Sequence, residues 1–292
     1  MHSDRPWMTA LETQYSALSL SRKILKNGDN SKWATVDRMA VSAIPKSQAF
    51  AWSADASTAV WMASRSVPND ATFSSDLLPD GMKSAWWWFD KPLPIPSVET
   101  LPDDLINSTE ICALLVFLSQ DGWVTIEYRM TPSHGPAPAA FSVRGLGATL
   151  ADVETGPSYD FRTGFHVAAP KERSINVGRF VLASSAWLRQ RIAVTSSGHI
   201  ERHRRRQLTR EHDAVLTDVK VVQLRRSESP QGQAPAQDSV EWSCRWIVNG
   251  HWRNQYHPST GKHELKYILP YVKGPEDKPL RVQTQTVYSV TR

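Results

Sequence analysis

Val240-Glu241-Trp242-Ser243-Cys244-Arg245-Trp246-Ile247-Val248 alternates apolar and polar residues, and after Asn249-Gly250-His251-Trp252-Arg253 and a polar turn at Pro258-Ser259-Thr260-Gly261 the alternation resumes at Leu265-Lys266-Tyr267-Ile268-Leu269-Pro270-Tyr271. Period-2 alternation is the mark of a half-buried strand. Two strands flanking a turn are therefore predicted here, with Val219–Leu224 before them and Val282–Val290 after them as two more. Between them, 227–238 contains no large apolar residue and reads as an exposed loop. A four-stranded, mostly antiparallel C-terminal sheet is the expectation, and it pulls the whole chain toward the α+β class.

Upstream, Arg179 to Arg206 is the best helix candidate, with Phe180, Leu182, Ala183, Ala186, Trp187 and Ile192 near one face and arginines on the other. Thr195-Ser196-Ser197-Gly198 is a breaker inside it. Trp7 to Lys26 repeats apolar residues at helical spacing until Asn27-Gly28-Asp29-Asn30 stops it. Ala34–Ile44 fits helix or strand, and Ala49–Ser64 is read as helix. Ala85-Trp86-Trp87-Trp88-Phe89-Asp90 is a short buried strand whose three tryptophans pack both faces. Glu110–Leu118 and Gly122–Met130, joined through Asp121-Gly122, form the clearest hairpin, and a further strand ends near Arg144. The order is helices, a small central sheet, a long basic helix, then four strands, unlike the regular alternation of a doubly wound parallel fold. The expected organisation is an α+β region over 1–145, a connection over 146–178, and a helix-plus-sheet domain over 179–292.

The 292 residues suffice for a sizeable core, and 40% apolar with 22% charged residues is ordinary globular composition. Two cysteines, Cys112 and Cys244, each sit in apolar or alternating runs, so a disulfide framework is not expected. The N-terminus lacks the basic start and apolar region of a signal peptide, and Ile111–Leu118 is too short to span a bilayer. A soluble cytoplasmic protein without membrane contact is the expectation. The net charge of +5 is unevenly placed, because eight arginines against one acid, Glu201, lie between Arg179 and Arg210.

Trp242–Lys273 holds three His, two Arg, three Lys, three Trp and three Tyr. Gly250 is read as a bulge that re-aims its neighbours, setting His251, Arg253, His257, His263, Lys266 and Lys273 around one rim. Such a rim suits phosphate, since Arg offers bidentate donors and Lys adds point charge. It also suits metal-free RNA cleavage, with His251 and His263 as base and acid and Arg253 stabilising the crowded phosphorane. Solvated strand edges carry the same residue types with no function at all. Arg202, Arg204, Arg205 and Arg206 at the helix end provide a second phosphate contact, or simply a charged helix terminus. Zinc is disfavoured because His251, His257 and His263 are too widely spaced and only Cys244 adds nearby sulfur. Gly145-Leu146-Gly147 lacks the spacing of a dinucleotide loop, and no nucleophile elbow occurs. No cofactor and no metal are expected.

Val248-Asn249-Gly250-His251-Trp252-Arg253-Asn254-Gln255 through Pro270-Tyr271-Val272-Lys273-Gly274-Pro275 resembles the C-terminal signature of a group of uncharacterised bacterial and phage-borne proteins, with a weaker echo at Trp88–Leu93. The resemblance covers about the last third of the chain and implies an origin near mobile elements rather than a chemistry. The order of helices then a sheet bearing His, Arg and Lys is also similar to RelE-like and EndoU-like ribonucleases at the level of fold. The leading expectation is a protein binding RNA or DNA through Arg202, Arg204, Arg205, Arg206, His251, Arg253, Lys266 and Lys273. The alternatives are a ribonuclease centred on His251, His263 and Arg253, and a protein-binding module whose exposed Trp side chains act as hot spots.

Overall fold

Helix α1 (Pro6–Lys26) buries Leu11, Tyr15 and Leu18, the i, i+4, i+7 stripe of an amphipathic helix. Helix α2 (Lys32–Ala43) buries Val36, Ala40 and Ala43 and stops at Ile44-Pro45, since proline cannot continue the hydrogen-bond ladder. The computed structural model describes residues 6–26, 32–94, 110–131, 135–155, 157–159, 166–168, 171–190, 192–214, 216, 218–224, 244–259, 261–275 and 277–279. The chain divides into two compact units, residues 1–225 and 226–292.

Strand β1 (Gln48–Trp52) leads into helix α3 (Ala54–Ser64). The helix expected over Ala49–Ser64 is thus present from Ala54, and its first four residues, Ala49–Trp52, are strand. Ser53 makes the division: its hydroxyl accepts from the Ala56 N–H at 3.3 Å, the capping bond that starts a helix. Strand β2 (Ser84–Leu93) runs parallel to β1. It continues antiparallel through β3 (Ile111–Leu118), β4 (Trp123–Thr131), β5 (Gly135–Arg144) and the short β6 (Glu154–Thr155). The expected β3–β4 hairpin is present, closed by Ser119 N–H donating to Gly122 C=O at 2.8 Å. Strands β7 (Pro157–Tyr159) and β8 (His166–Ala168) pair with each other.

The long basic helix expected over Arg179–Arg206 is replaced by three elements: α4 (Lys171–Arg189), β9 (Ala193–Ser197) and α5 (Arg202–His212). The Thr195–Gly198 breaker prevails because β9 finds a ladder partner in β10 (Val219–Leu224). Strand β10 itself pairs parallel with β1. The central sheet is therefore not small; it has eight strands in the order β6-β5-β4-β3-β2-β1-β10-β9. The elements from α4 to β10 thereby belong with the N-terminal helices rather than with the strands after residue 240.

Both faces of this sheet are covered. Helices α1, α2 and α5 contribute to a core with Trp86, Trp88, Leu115, Val124, Ile126, Tyr128 and Val219. On the other face Phe180 of α4 meets Trp61 of α3 at 5.8 Å, Trp87 at 6.3 Å and Phe89 at 5.4 Å, centroid to centroid. Trp86-Trp87-Trp88 thus pack alternately on the two faces. Each buried tryptophan removes roughly 200 Å² from water, worth about 5 kcal/mol as an upper figure.

The second unit contains β11 (Trp246–Val248), β12 (His251–His257), β13 (Lys262–Ile268) and β14 (Tyr271–Lys273), in two antiparallel pairs, β11–β14 and β12–β13. The four-stranded sheet expected here loses β10 to the first unit. The loop over 227–238, the residues Val240–Ser243 and the strand over Val282–Val290 lie outside the described residues. Among the described residues, no helix is long and apolar enough to cross a membrane.

Candidate nucleic-acid interface

The pairs from Trp246↔Lys273 to Val248↔Tyr271, and from His251↔Ile268 to His257↔Lys262, keep one constant register. Strands β11 to β14 therefore follow one another as two two-stranded segments of a ribbon in the same register, separated where Asn249-Gly250 and Leu269-Pro270 lie between them. Pro270 has no N–H to give the ladder. A bulge would shift the register by one residue; Gly250 shifts nothing, so its expected role as a bulge is corrected. The Tyr267 phenol fills the space beside it, and a Cβ on Gly250 would stand 2.2 Å from that hydroxyl oxygen. Tyr267 tilts against Trp252 at 4.9 Å, and Trp252 is only 9% exposed. Burial raises the Tyr267 phenol above its ordinary pKa.

An unshifted register divides the ribbon cleanly, because opposite residues share a face and successive residues alternate. In the β12–β13 pair, Trp252, Asn254 and Tyr256 share one face with His263, Leu265 and Tyr267, and in the β11–β14 pair Trp246 and Val248 share one face with Tyr271 and Lys273. His251, Arg253, Gln255 and His257 share the other with Glu264 and Lys266. His251, Arg253 and Lys266 are thus brought together, all exposed, with Arg253 directly opposite Lys266. His263 and Lys273 are not. His263 instead meets the Tyr256 ring at 5.0 Å.

The supposed catalytic trio is split, with His251 and Arg253 on one face and His263 on the other. His257 shares the face of His251 but lies about 20 Å along the strand, with Nε2 3.9 Å from Glu264 Oε2. His251 Nδ1 donates to the Asn249 carbonyl at 3.1 Å in the tautomer that this contact favours.

In the first unit, the four arginines open α5 rather than ending a long helix, so they do not complement C-terminal carbonyls. Arg204 is paired with Glu12 of α1. Arg205 is paired with Asp218 and donates to the Leu216 carbonyl at 3.0 Å. These two hold α5 in place. Arg202 and Arg206 are exposed, and Arg210 continues their row at helical spacing. His203 Nδ1 lies 3.2 Å from Glu201. At the far end of α5 the Arg22 guanidinium donates to the carbonyls of His212 at 2.7 Å and Asp213 at 3.0 Å, closing the helix. The open groove of about 990 Å³ beside it is lined by Lys23, Lys26, Glu211 and Asp213, charges of both signs.

Sequence reasoning missed a buried ionic cluster beneath α4. Glu127 of β4 accepts from Arg173 Nε at 2.9 Å and from the same guanidinium's terminal nitrogen, with both side chains largely buried. Arg144 of β5 is 1% exposed and donates to Ser142 Oγ at 3.2 Å and to the Ser174 carbonyl. Its guanidinium lies 4.9 Å from the Phe73 ring centroid, and a Cβ on Gly178 would stand 2.6 Å from its terminal nitrogen. Gly178 is what lets α4 pass over a guanidinium. Burial pulls Arg144 down to a pKa of about 10, and Glu127 opposes the shift. The available signal was weak: Thr125, Glu127 and Arg129 alternate with Val124, Ile126 and Tyr128, a pattern that marks a polar face without saying what covers it.

The tryptophans expected as protein-binding hot spots are mostly interior: Trp52, Trp61, Trp86, Trp87, Trp88, Trp123, Trp187 and Trp252 are all buried. Among the described residues, no three His, Cys, Asp or Glu side chains gather into a metal-binding group. No protein-family model, no curated protein and no solved structure matches this chain.

Proposed function

We propose that the chain binds the phosphate backbone of RNA or DNA through the cationic face of the ribbon, with Arg253 and Lys266 as the principal contacts and His251 beside them. The observation that carries this reading is the cross-strand pairing of Arg253 with Lys266 on an exposed face. Like charges directly opposite one another destabilise a strand pair, and a phosphate between them offsets that repulsion. A two-stranded ribbon also has the width to enter a major groove. Arg202 and Arg206 are further contacts in this reading, while Arg204 and Arg205 serve α5. The resemblance at Gly250–Arg253 and Pro270–Pro275 supports a mobile-element setting, and the free thiols of Cys112 and Cys244 are in keeping with the cytoplasm.

The test is fluorescence anisotropy with labelled mixed-sequence RNA and duplex DNA across a salt series. Affinity should fall steeply with salt, and Arg253→Ala with Lys266→Ala should lower the slope of log affinity against log salt by about two. Binding that is undetectable, or whose salt slope the double variant leaves unchanged, would overturn the proposal. Cleavage is not part of it, because no two histidines of the ribbon share a face at phosphodiester distance.

A further inference from the structure

We infer that the chain forms a two-fold dimer in which β9 pairs antiparallel with β9 of a second copy. Strand β9 ends the eight-stranded sheet beside β10, and its five residues, Ala193-Val194-Thr195-Ser196-Ser197, keep an unbroken register with that neighbour. The ladder continues to Gly198, whose N–H donates to the Val219 carbonyl at 2.9 Å. Hydrogen-bonded pairs alternate along an antiparallel ladder. With Gly198 bonded inward, Ser196 and Val194 also turn their peptide groups to β10, and Ala193, Thr195 and Ser197 turn theirs outward. Among the described residues, no backbone group pairs with that outward row.

Sheet edges are ordinarily blunted by shortness, charge, proline or a bulge. The opposite edge, β6, has two residues, one of them Glu154. Strand β9 has none of these devices. Val194 is 40% exposed, Thr195, Ser196 and Ser197 are exposed too, and no residue of the strand is charged.

The occupant that fits is β9 itself. Antiparallel pairing about a dyad at Thr195 sets Thr195 against Thr195 and Ala193 against Ser197. The outward groups of one copy then meet the outward groups of the other in about six backbone hydrogen bonds. A dyad demands that each residue tolerate its symmetry mate, and an uncharged Ala-Val-Thr-Ser-Ser strand meets that demand. Opposite residues of an antiparallel pair share a face, so the two-fold axis stands normal to the sheet. Helices α1, α2 and α5 of both copies then lie on the same face of one continuous sheet, and the exposed Arg202 and Arg206 are duplicated across the dyad.

Sedimentation velocity of the full chain over a concentration series, without nucleic acid, tests this independently of the binding proposal. The wild type should show a concentration-dependent dimer. Thr195→Lys, which sets two like charges opposite each other, should raise the dimer dissociation constant at least about tenfold. Thr195→Glu should do the same, and an equimolar mixture of the two should recover the dimer as a heterodimer, an outcome that damage to the fold cannot produce. Should Thr195→Lys fail to fold by circular dichroism, Thr195→Arg and Thr195→Asp replace the pair, with the same recovery on mixing expected because residue 195 faces its own mate across the dyad. A wild-type chain that stays monomeric to about 100 µM, a dimer indifferent to these substitutions, or no recovery on mixing would overturn the inference.

Discussion

Arg144 and Arg253 are both strand arginines in segments of alternating polarity, yet they are held in opposite ways. Arg144 is 1% exposed, bonded to Ser142 and Ser174, stacked near Phe73 and within the field of Glu127. Arg253 is exposed and faces Lys266 with no carboxylate directly opposite. The difference lies in what covers the strand. Helix α4 brings Arg173, the Ser174 carbonyl and the gap at Gly178 to the polar face of β4 and β5, while the polar face of the ribbon is open within its own unit. A buried cation must be paired or it costs several kcal/mol; an exposed one keeps its hydration and remains available to a phosphate.

The sharpest way to break this contrast is to remove the carboxylate. Glu127→Ala strands Arg173 and leaves Arg144 without its counter-charge, so it should cost about 3–5 kcal/mol, read as a melting transition lowered by roughly 10 °C. Glu127→Gln, which keeps an acceptor of the same shape, should lose less. A melting point unmoved by Glu127→Ala would mean that the cluster is wetter than its burial implies. Next in size is Gly178→Ala, whose methyl group meets the boxed Arg144 guanidinium and should cost about 1–3 kcal/mol. In an Arg144→Ala background the same change should turn neutral or stabilising by up to about 1 kcal/mol, since alanine then contributes only its helix propensity. Chemical denaturation of the four proteins of this double-mutant cycle gives the coupling directly.

Legibility followed the same division. The β3–β4 hairpin could be read because Asp121-Gly122 sits between two apolar runs, and α1 because its stripe ends in Asn27-Gly28. Strand β1 was absorbed into a helix, since Phe50-Ala51-Trp52 is apolar on both faces and carries no period. Arg-rich composition favours helix and extends the basic helix too far, whereas β9 owes its strand to β10, a partner more than twenty residues away that local pattern cannot show. At the ribbon, the residue types were legible and the facing was not. Reading Gly250 as a bulge put His263 with His251; the constant register separates them. The Glu127–Arg173 pair escaped notice because alternation identifies a polar face and is silent on whether a helix lies over it.

The two thiols extend the contrast at intermediate size. Cys112 is buried in β3, which pushes its thiol up to about 12 from 9.0, whereas Cys244 is half-buried. Above pH 9 the unfolded chain releases the Cys112 proton and the folded chain does not. The native state therefore holds more protons, and stability must fall as pH rises. From pH 9 to pH 10 the loss should reach about 1 kcal/mol, steepening toward about 1.4 kcal/mol per pH unit above that, and Cys112→Ala should remove that share of the slope. A maleimide reagent at neutral pH should label Cys244 in the native chain and Cys112 only after unfolding; rapid native labelling of Cys112 would contradict its burial.

The smallest effect is the one that tells the two kinds of arginine apart by sign. Where Glu127→Ala destabilises, Arg253→Gln should leave stability unchanged or raise it by about 0.2–1 kcal/mol, because it removes the repulsion from Lys266 across the ribbon. That gain should shrink as added salt screens the pair, with a Debye length of about 10 Å at 0.1 M already comparable to their separation. The same substitution should weaken nucleic-acid binding most at low salt. Stability and affinity thus move in opposite directions at Arg253, which is expected of a residue whose charge is held for an absent anion. A loss of stability on Arg253→Gln, measured by denaturant titration at low salt, would instead assign Arg253 a structural partner and remove the main support for the ribbon as a phosphate contact.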